Sequence, residues 1–165
     1  MARSVDDVNE SIAAANSTIN TQGALISGYT AEIEQNSNEA EALRRQKDVL
    51  ENTQIEIDDL CRSLAENAKS IGETYGANNG FASGFSQKAS EKITDVQNNT
   101  IGKLQSMIER LQDKIDTCEI NISNAQSNLY TAQTALNNAQ NDLSSYKTEL
   151  IEAEEEAAAA FESDF

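Results

Sequence analysis

From Ile101 to Ala160 an apolar, aromatic or small residue recurs at alternating steps of three and four. The positions are Ile101, Leu104, Ile108, Leu111, Ile115, Cys118, Ile122, Ala125, Leu129, Ala132, Leu136, Ala139, Leu143, Tyr146, Leu150, Ala153, Ala157 and Ala160. Alternate steps of three and four average close to the turn of an α-helix, so all of these side chains fall along one stripe. A strand repeats every second residue and cannot place them on one face. The pattern holds for about eight heptads, which specifies a long helix with a seam for a second helix. The seam also explains how a chain only 38% hydrophobic and 5% aromatic, without tryptophan, can fold. A globular core of this length uses more large side chains, whereas a helical seam concentrates the few there are. Disorder is the competing reading of so acidic a chain, and the unbroken periodicity argues against it.

The first half repeats the pattern less regularly, through Val5, Val8, Ile12, Ala15, Ile19, Gln22, Ile26, Tyr29, Ile33, Asn36, Ala40 and Leu43. One series then continues as Leu50, Ile57, Leu64 and Ile71, while its companion turns polar at Lys47 and Gln54. Gly23 and Gly28 weaken this helix locally, by about 1 kcal/mol each relative to alanine. Proline is absent from the chain. Punctuation is concentrated in the stretch "IGETYGANNGFASGF", residues 71–85, which holds Gly72, Gly76, Gly80 and Gly84 together with Phe81 and Phe85. Asn79-Gly80 is a turn signal, and asparagine or glycine readily ends a helix in the left-handed conformation. Ser83 and Ser86 are candidate caps for the helix that follows.

The sequence therefore predicts an all-α fold, a single-domain, elongated antiparallel two-helix hairpin of coiled-coil type. One helix is expected over about 4–70, a glycine-rich turn over about 71–83, and a second helix over about 84–162. Facing residues then have numbers that sum to roughly 156, a consequence of folding about residue 78. In that register Tyr29 falls beside Ala125 and Ala132, and Tyr146 beside Ala13, Ala14 and Ala15, large against small. Asn36 and Gln22 meet the asparagine-rich middle of the second helix, where a polar seam pair fixes register at some loss of stability. Cys61 and Cys118 lie about 23 residues apart along the hairpin, roughly 35 Å, too far for a disulfide. Both read as packing residues.

Chemistry is nearly absent from the pattern. There is no histidine, no nucleophile motif around a serine, and neither GxGxxG nor GxxxxGK[ST] among the glycines. No catalytic residue, cofactor or metal ligand is expected, and the chain reads as non-enzymatic. The net charge of −16 repels phosphate backbones, so nucleic acid is not an expected partner. The charge is uneven. Residues 1–12 and 147–165 carry ten acids against Arg3 and Lys147. No apolar run is long enough for a bilayer span, and no signal-peptide pattern opens the sequence. Stable membrane insertion is not expected. The expected location is the cytoplasm, or outside the cell by a route without a cleaved signal peptide.

Interaction sites are better marked. Leu43, Val49, Leu50, Ile55, Ile57, Leu60 and Leu64 make the first helix apolar over a wider arc than one partner helix covers, with Met107 at the facing level. Leu43, Val49, Ile55, Leu60 and Met107 are therefore candidates for a partner surface. Phe161 and Phe165 at the acidic C-terminal end are candidate docking anchors. Asn79, Gly80, Phe81, Gly84 and Phe85 define the turn, whose phenylalanines either close the seam or meet a partner. If Gly80 has positive φ, replacing it by alanine is expected to cost stability.

The helical hairpin, the central "NGFASGF" turn, the Asn/Gln/Ser/Ala-rich second helix and the acidic, aromatic C-terminus resemble the WXG-type small proteins of type VII secretion. The longer helical proteins encoded beside LXG toxins in Gram-positive bacteria are the more similar group. There is no Trp-x-Gly, and Phe81 and Gly84 are the nearest equivalents. The Tyr-x-x-x-Asp/Glu secretion signal is also absent. The resemblance implies a helical adaptor or chaperone that binds the helical N-terminal targeting domain of a toxin and supports its export. The heptads alone are equally compatible with a homo-oligomeric coiled-coil scaffold of a phage or cell envelope.

Overall fold

The computed structural model describes residues 3–163, with side chains through residue 160. Two α-helices, α1 (Val5–Tyr75) and α2 (Gly80–Ser163), make up nearly all of the described residues, with no strand among them. They pack as an antiparallel two-helix hairpin.

The start of α1 is fixed by its own sequence. The Ser4 hydroxyl oxygen accepts the Asp7 amide hydrogen at 3.2 Å and donates to the Asp7 carboxylate at 2.7 Å. One otherwise unpaired amide of the first turn is thereby satisfied, and Asp6 and Asp7 lie at the positive end of the helix dipole.

The turn differs from the sequence expectation. It spans only residues 76–79, not 71–83. Gly72 remains inside α1, and Gly80 and Gly84 lie inside α2. No residue among those described has positive φ, so Gly80 is not a left-handed reversal. The cap of α2 is Asn79 rather than Ser83 or Ser86. Its side-chain oxygen accepts the Phe81 amide at 3.0 Å, and its carbonyl accepts the amides of Ala82 and Ser83. Asparagine is among the best N-cap residues, so this capping offsets part of the roughly 1 kcal/mol that each glycine costs a helix. Gly72 serves a different end. A β-carbon on Gly72 would lie 2.6 Å from the Ser86 hydroxyl oxygen and 2.8 Å from its β-carbon. Gly72 thus lets α1 and α2 approach closely just before the turn.

The helices' contacts form two compact units, Met1–Asn36 with Ile120–Phe165, and Ser37–Glu119. In the first, Val8 and Ala15 of α1 are buried, as are Ala125, Ala132, Ala139 and Ala153 of α2. The small seam series read from the sequence is the core of this unit. Tyr146 lines the same hollow as Ala14 and Ala15, as size matching requires. The Arg3 guanidinium lies 5.5 Å from the Tyr146 ring centre and 3.2 Å from the Glu149 carboxylate. Asn121 donates its side-chain amide to the Asn36 side-chain oxygen at 3.2 Å, a polar seam pair in the expected register.

In the second unit Ala40, Leu43, Ile115 and Cys118 form a buried cluster against Leu111. Cys61, Ala68, Ala82 and Ile108 are buried as well. Both cysteines are free. Lys47 donates to the Gln112 side-chain oxygen, and Gln97 donates to Asp58. Both pairs lie within about three residues of the register expected of a hairpin folded near residue 78.

Candidate interaction face

The residues marked as a partner surface do not all reach the surface. Leu43 is 8% exposed and belongs to the buried cluster with Ile115 and Cys118. Its apolar area is already used within the hairpin, so it is removed from the candidate face. Val49 (63% exposed), Ile55 (60%), Leu60 (60%) and Met107 (50%) do face outward. They do not share one face, however. Ile55 is six residues from Val49, about 240° around the helix, and lies on a different side of α1.

Val49 and Met107 lie together. With Leu50 and Leu111 they line an open hollow of about 620 Å³ between α1 and α2. Leu60 follows Val49 by eleven residues, and Val96 precedes Met107 by eleven. Eleven residues make about three turns and return to within about 20° of the starting direction. Leu60 and Val96 therefore lie on the same side as the hollow, and the Asp58–Gln97 hydrogen bond sets them at one level. Val96 is 51% exposed. A further step of eleven reaches Ile71 and Phe85, both exposed, at the level where Gly72 meets Ser86. The result is a ladder of apolar pairs on one side of the second unit: Val49 with Met107, Leu60 with Val96, and Ile71 with Phe85.

The rim of the hollow at the Val49–Met107 end of this ladder is basic. Arg45, Arg110 and Lys114 line the hollow without any carboxylate in its lining. Lys103 and Arg110 lie beside Met107 in an adjoining shallow depression that also lacks acids. Arg45 pairs with Glu41. Among the described residues Lys103, Arg110 and Lys114 have no ion-pair or hydrogen-bond partner. Glu56, between Val49 and Leu60 along α1, is the acid that interrupts the stripe.

At the turn, Asn79 caps α2 and Gly80 is its first residue. Phe81 and Phe85 are exposed and border a shallow depression with Gly80, Gly84 and Lys88. Ala82, rather than either phenylalanine, fills the seam there. The side chain of Phe161 and the whole of Phe165 lie outside the described residues.

Sequence reasoning found Val49, Leu60 and Met107 but missed Val96 and the cations. The missed signal is the eleven-residue spacing, which a search restricted to heptads does not register. Among the described residues no group of three or more His, Cys, Asp or Glu side chains is placed to hold a metal ion, and no helix is long and apolar enough to cross a membrane. No family model, no curated protein and no solved structure matches the chain.

Proposed function

We propose that the chain is a non-enzymatic helical adaptor that pairs side by side with a helical segment of another protein. In the setting implied by its resemblance to LXG-associated proteins, that segment is the N-terminal targeting domain of a toxin exported by type VII secretion. The observation that carries the reading is the exposed ladder of Val49, Leu60, Val96 and Met107 on one side of the hairpin. A two-helix hairpin buries one seam only. A second row of large apolar side chains, placed at matching levels on both helices, is what a third helix needs for packing.

The test is co-expression of the chain with proteins encoded by its neighbouring genes, followed by co-purification. Wild type should bring down a helical protein. Val49→Glu with Leu60→Glu should abolish the complex and leave helix content unchanged, because both side chains already face solvent. A charge desolvated at such an interface costs several kcal/mol, or orders of magnitude in affinity. Ile55→Glu, on a different side of α1, should leave the complex intact. If wild type binds no neighbour and instead forms a defined oligomer, the homo-oligomeric scaffold is the better reading.

A further inference from the structure

We infer that the face of the second unit carrying Val49, Leu60, Val96 and Met107 receives an acidic amphipathic helix, laid along the groove between α1 and α2. The inference rests on the adaptor reading and adds the partner's chemistry and its periodicity. Two observations carry it. The first is charge. The protein has a net charge of −16, yet Arg45 (paired with Glu41), Arg110 and Lys114 line this one apolar hollow with no carboxylate among the lining residues, and Lys103 lines the depression beside it. Lys103, Arg110 and Lys114 have no partner among the described residues. Glu56 lies farther along the stripe, toward Leu60, so the cationic character belongs to the Val49–Met107 end of the face. Cations beside an apolar groove complement glutamates that flank the apolar stripe of an incoming helix.

The second observation is spacing. The exposed pairs recur every eleven residues rather than every seven. An eleven-residue repeat is about 3.67 residues per turn and favours a straight or slightly right-handed winding over a left-handed supercoil. The incoming helix should accordingly place its apolar residues at steps of three, four and four. A second copy of the chain, seated with its own hollow against this one, would bring Arg110 and Lys114 toward their like-charged equivalents. That arrangement is disfavoured by the same electrostatics.

Two fluorescently labelled synthetic peptides of about 25 residues test this, long enough to span two of the eleven-residue steps. Each carries leucine and alanine at steps of three, four and four. One has glutamates flanking the stripe and its twin has lysines. Binding to the full chain is followed by anisotropy at low salt, and only the part lost in a Leu60→Ser, Met107→Ser variant is counted as binding to this face. Both positions are exposed, so the variant should retain its fold. The glutamate peptide should bind at least about tenfold more tightly than the lysine twin, against the sign expected from net charge alone. High salt should remove most of that preference. Arg110→Glu with Lys114→Glu should reverse it.

Equal binding of the two peptides at this face would overturn the acidic chemistry while leaving the adaptor reading standing. Binding of neither would overturn the inference, while the adaptor reading would stand or fall on the co-purification test and its Val49→Glu, Leu60→Glu variant. Self-association that Leu60→Ser disrupts, and that the glutamate peptide does not compete with, would show that a second copy covers the face and would overturn the inference.

Discussion

Two glycines eight residues apart are expected to respond to the same substitution in opposite ways. Gly72→Ala places a β-carbon against both the β-carbon and the hydroxyl oxygen of Ser86. The hydroxyl can rotate away, but the β-carbon moves only with the backbone of α2. Overpacking of this kind costs about 1–3 kcal/mol, so the denaturation midpoint should fall. Gly80→Ala meets open space, and Gly80 lies in α2 without positive φ. Alanine there should raise stability by about 0.5–1 kcal/mol through a less flexible unfolded chain. A destabilised Gly80→Ala variant would show that the chain reverses at Gly80 after all. Sequence composition alone does not separate the two positions, because what differs is the distance to a residue on the other helix.

Within α2 the seam is legible because one periodicity carries it, whereas toward the turn α1 departs from the expected series: Leu64 and Ile71 are exposed, and Cys61 and Ala68 are buried instead. Ile108, Ile115, Cys118, Ala125 and Ala139 are buried where the three-and-four stepping places them. The helix ends near the turn were not legible. Four glycines in fifteen residues argue for a long loop, whereas α2 begins directly after Asn79, whose side chain and carbonyl accept the first amides of the helix. The candidate face was half legible. Val49, Leu60 and Met107 stood out as apolar residues off the heptad seam. Leu43 was misassigned because a seam residue and a residue of a wide apolar arc look alike until the facing helix is placed. Asn36 and Asn121 show what a polar residue in the seam contributes. Asn36→Ala should cost about 1 kcal/mol, since it leaves the Asn121 amide without its partner. Replacing both asparagines by leucine should recover that loss or exceed it, because exchanging both partners of a half-buried polar pair for apolar groups is often neutral or stabilising. Urea denaturation of the three proteins decides this. A double variant less stable than the single one would mean the asparagines contribute more than register.

For the molecule as a whole, repulsion between like charges dominates the electrostatics. There are 28 acidic against 12 basic residues. The ion pairs seen, such as Arg44 with Glu119 and Arg62 with Asp58, are largely solvent-exposed and each is worth at most about 1 kcal/mol. Screening should therefore help more than it harms. Raising sodium chloride from about 10 mM to about 300 mM shortens the Debye length severalfold. The thermal midpoint should rise by several degrees over that range. A fall would show that the surface pairs outweigh the net repulsion.

The two free cysteines of the second unit are also native clocks for its breathing. Cys61 and Cys118 are both sequestered in the seam, with no disulfide between them, so a thiol reagent reaches either one only when the helices part locally. Their labelling rates measure the free energy of opening at two separate levels, without any engineered probe. Cys61 lies between Leu60 and Arg62 on α1 and is nearer the turn, whereas Cys118 packs in the cluster with Leu43 and Ile115. The order in which the two react reports which end of the unit unzips first. A helix bound along the groove would slow the Cys61 clock, which lies within the span of the exposed ladder, more than that of Cys118, which packs beyond its end with Ala40 and Leu43.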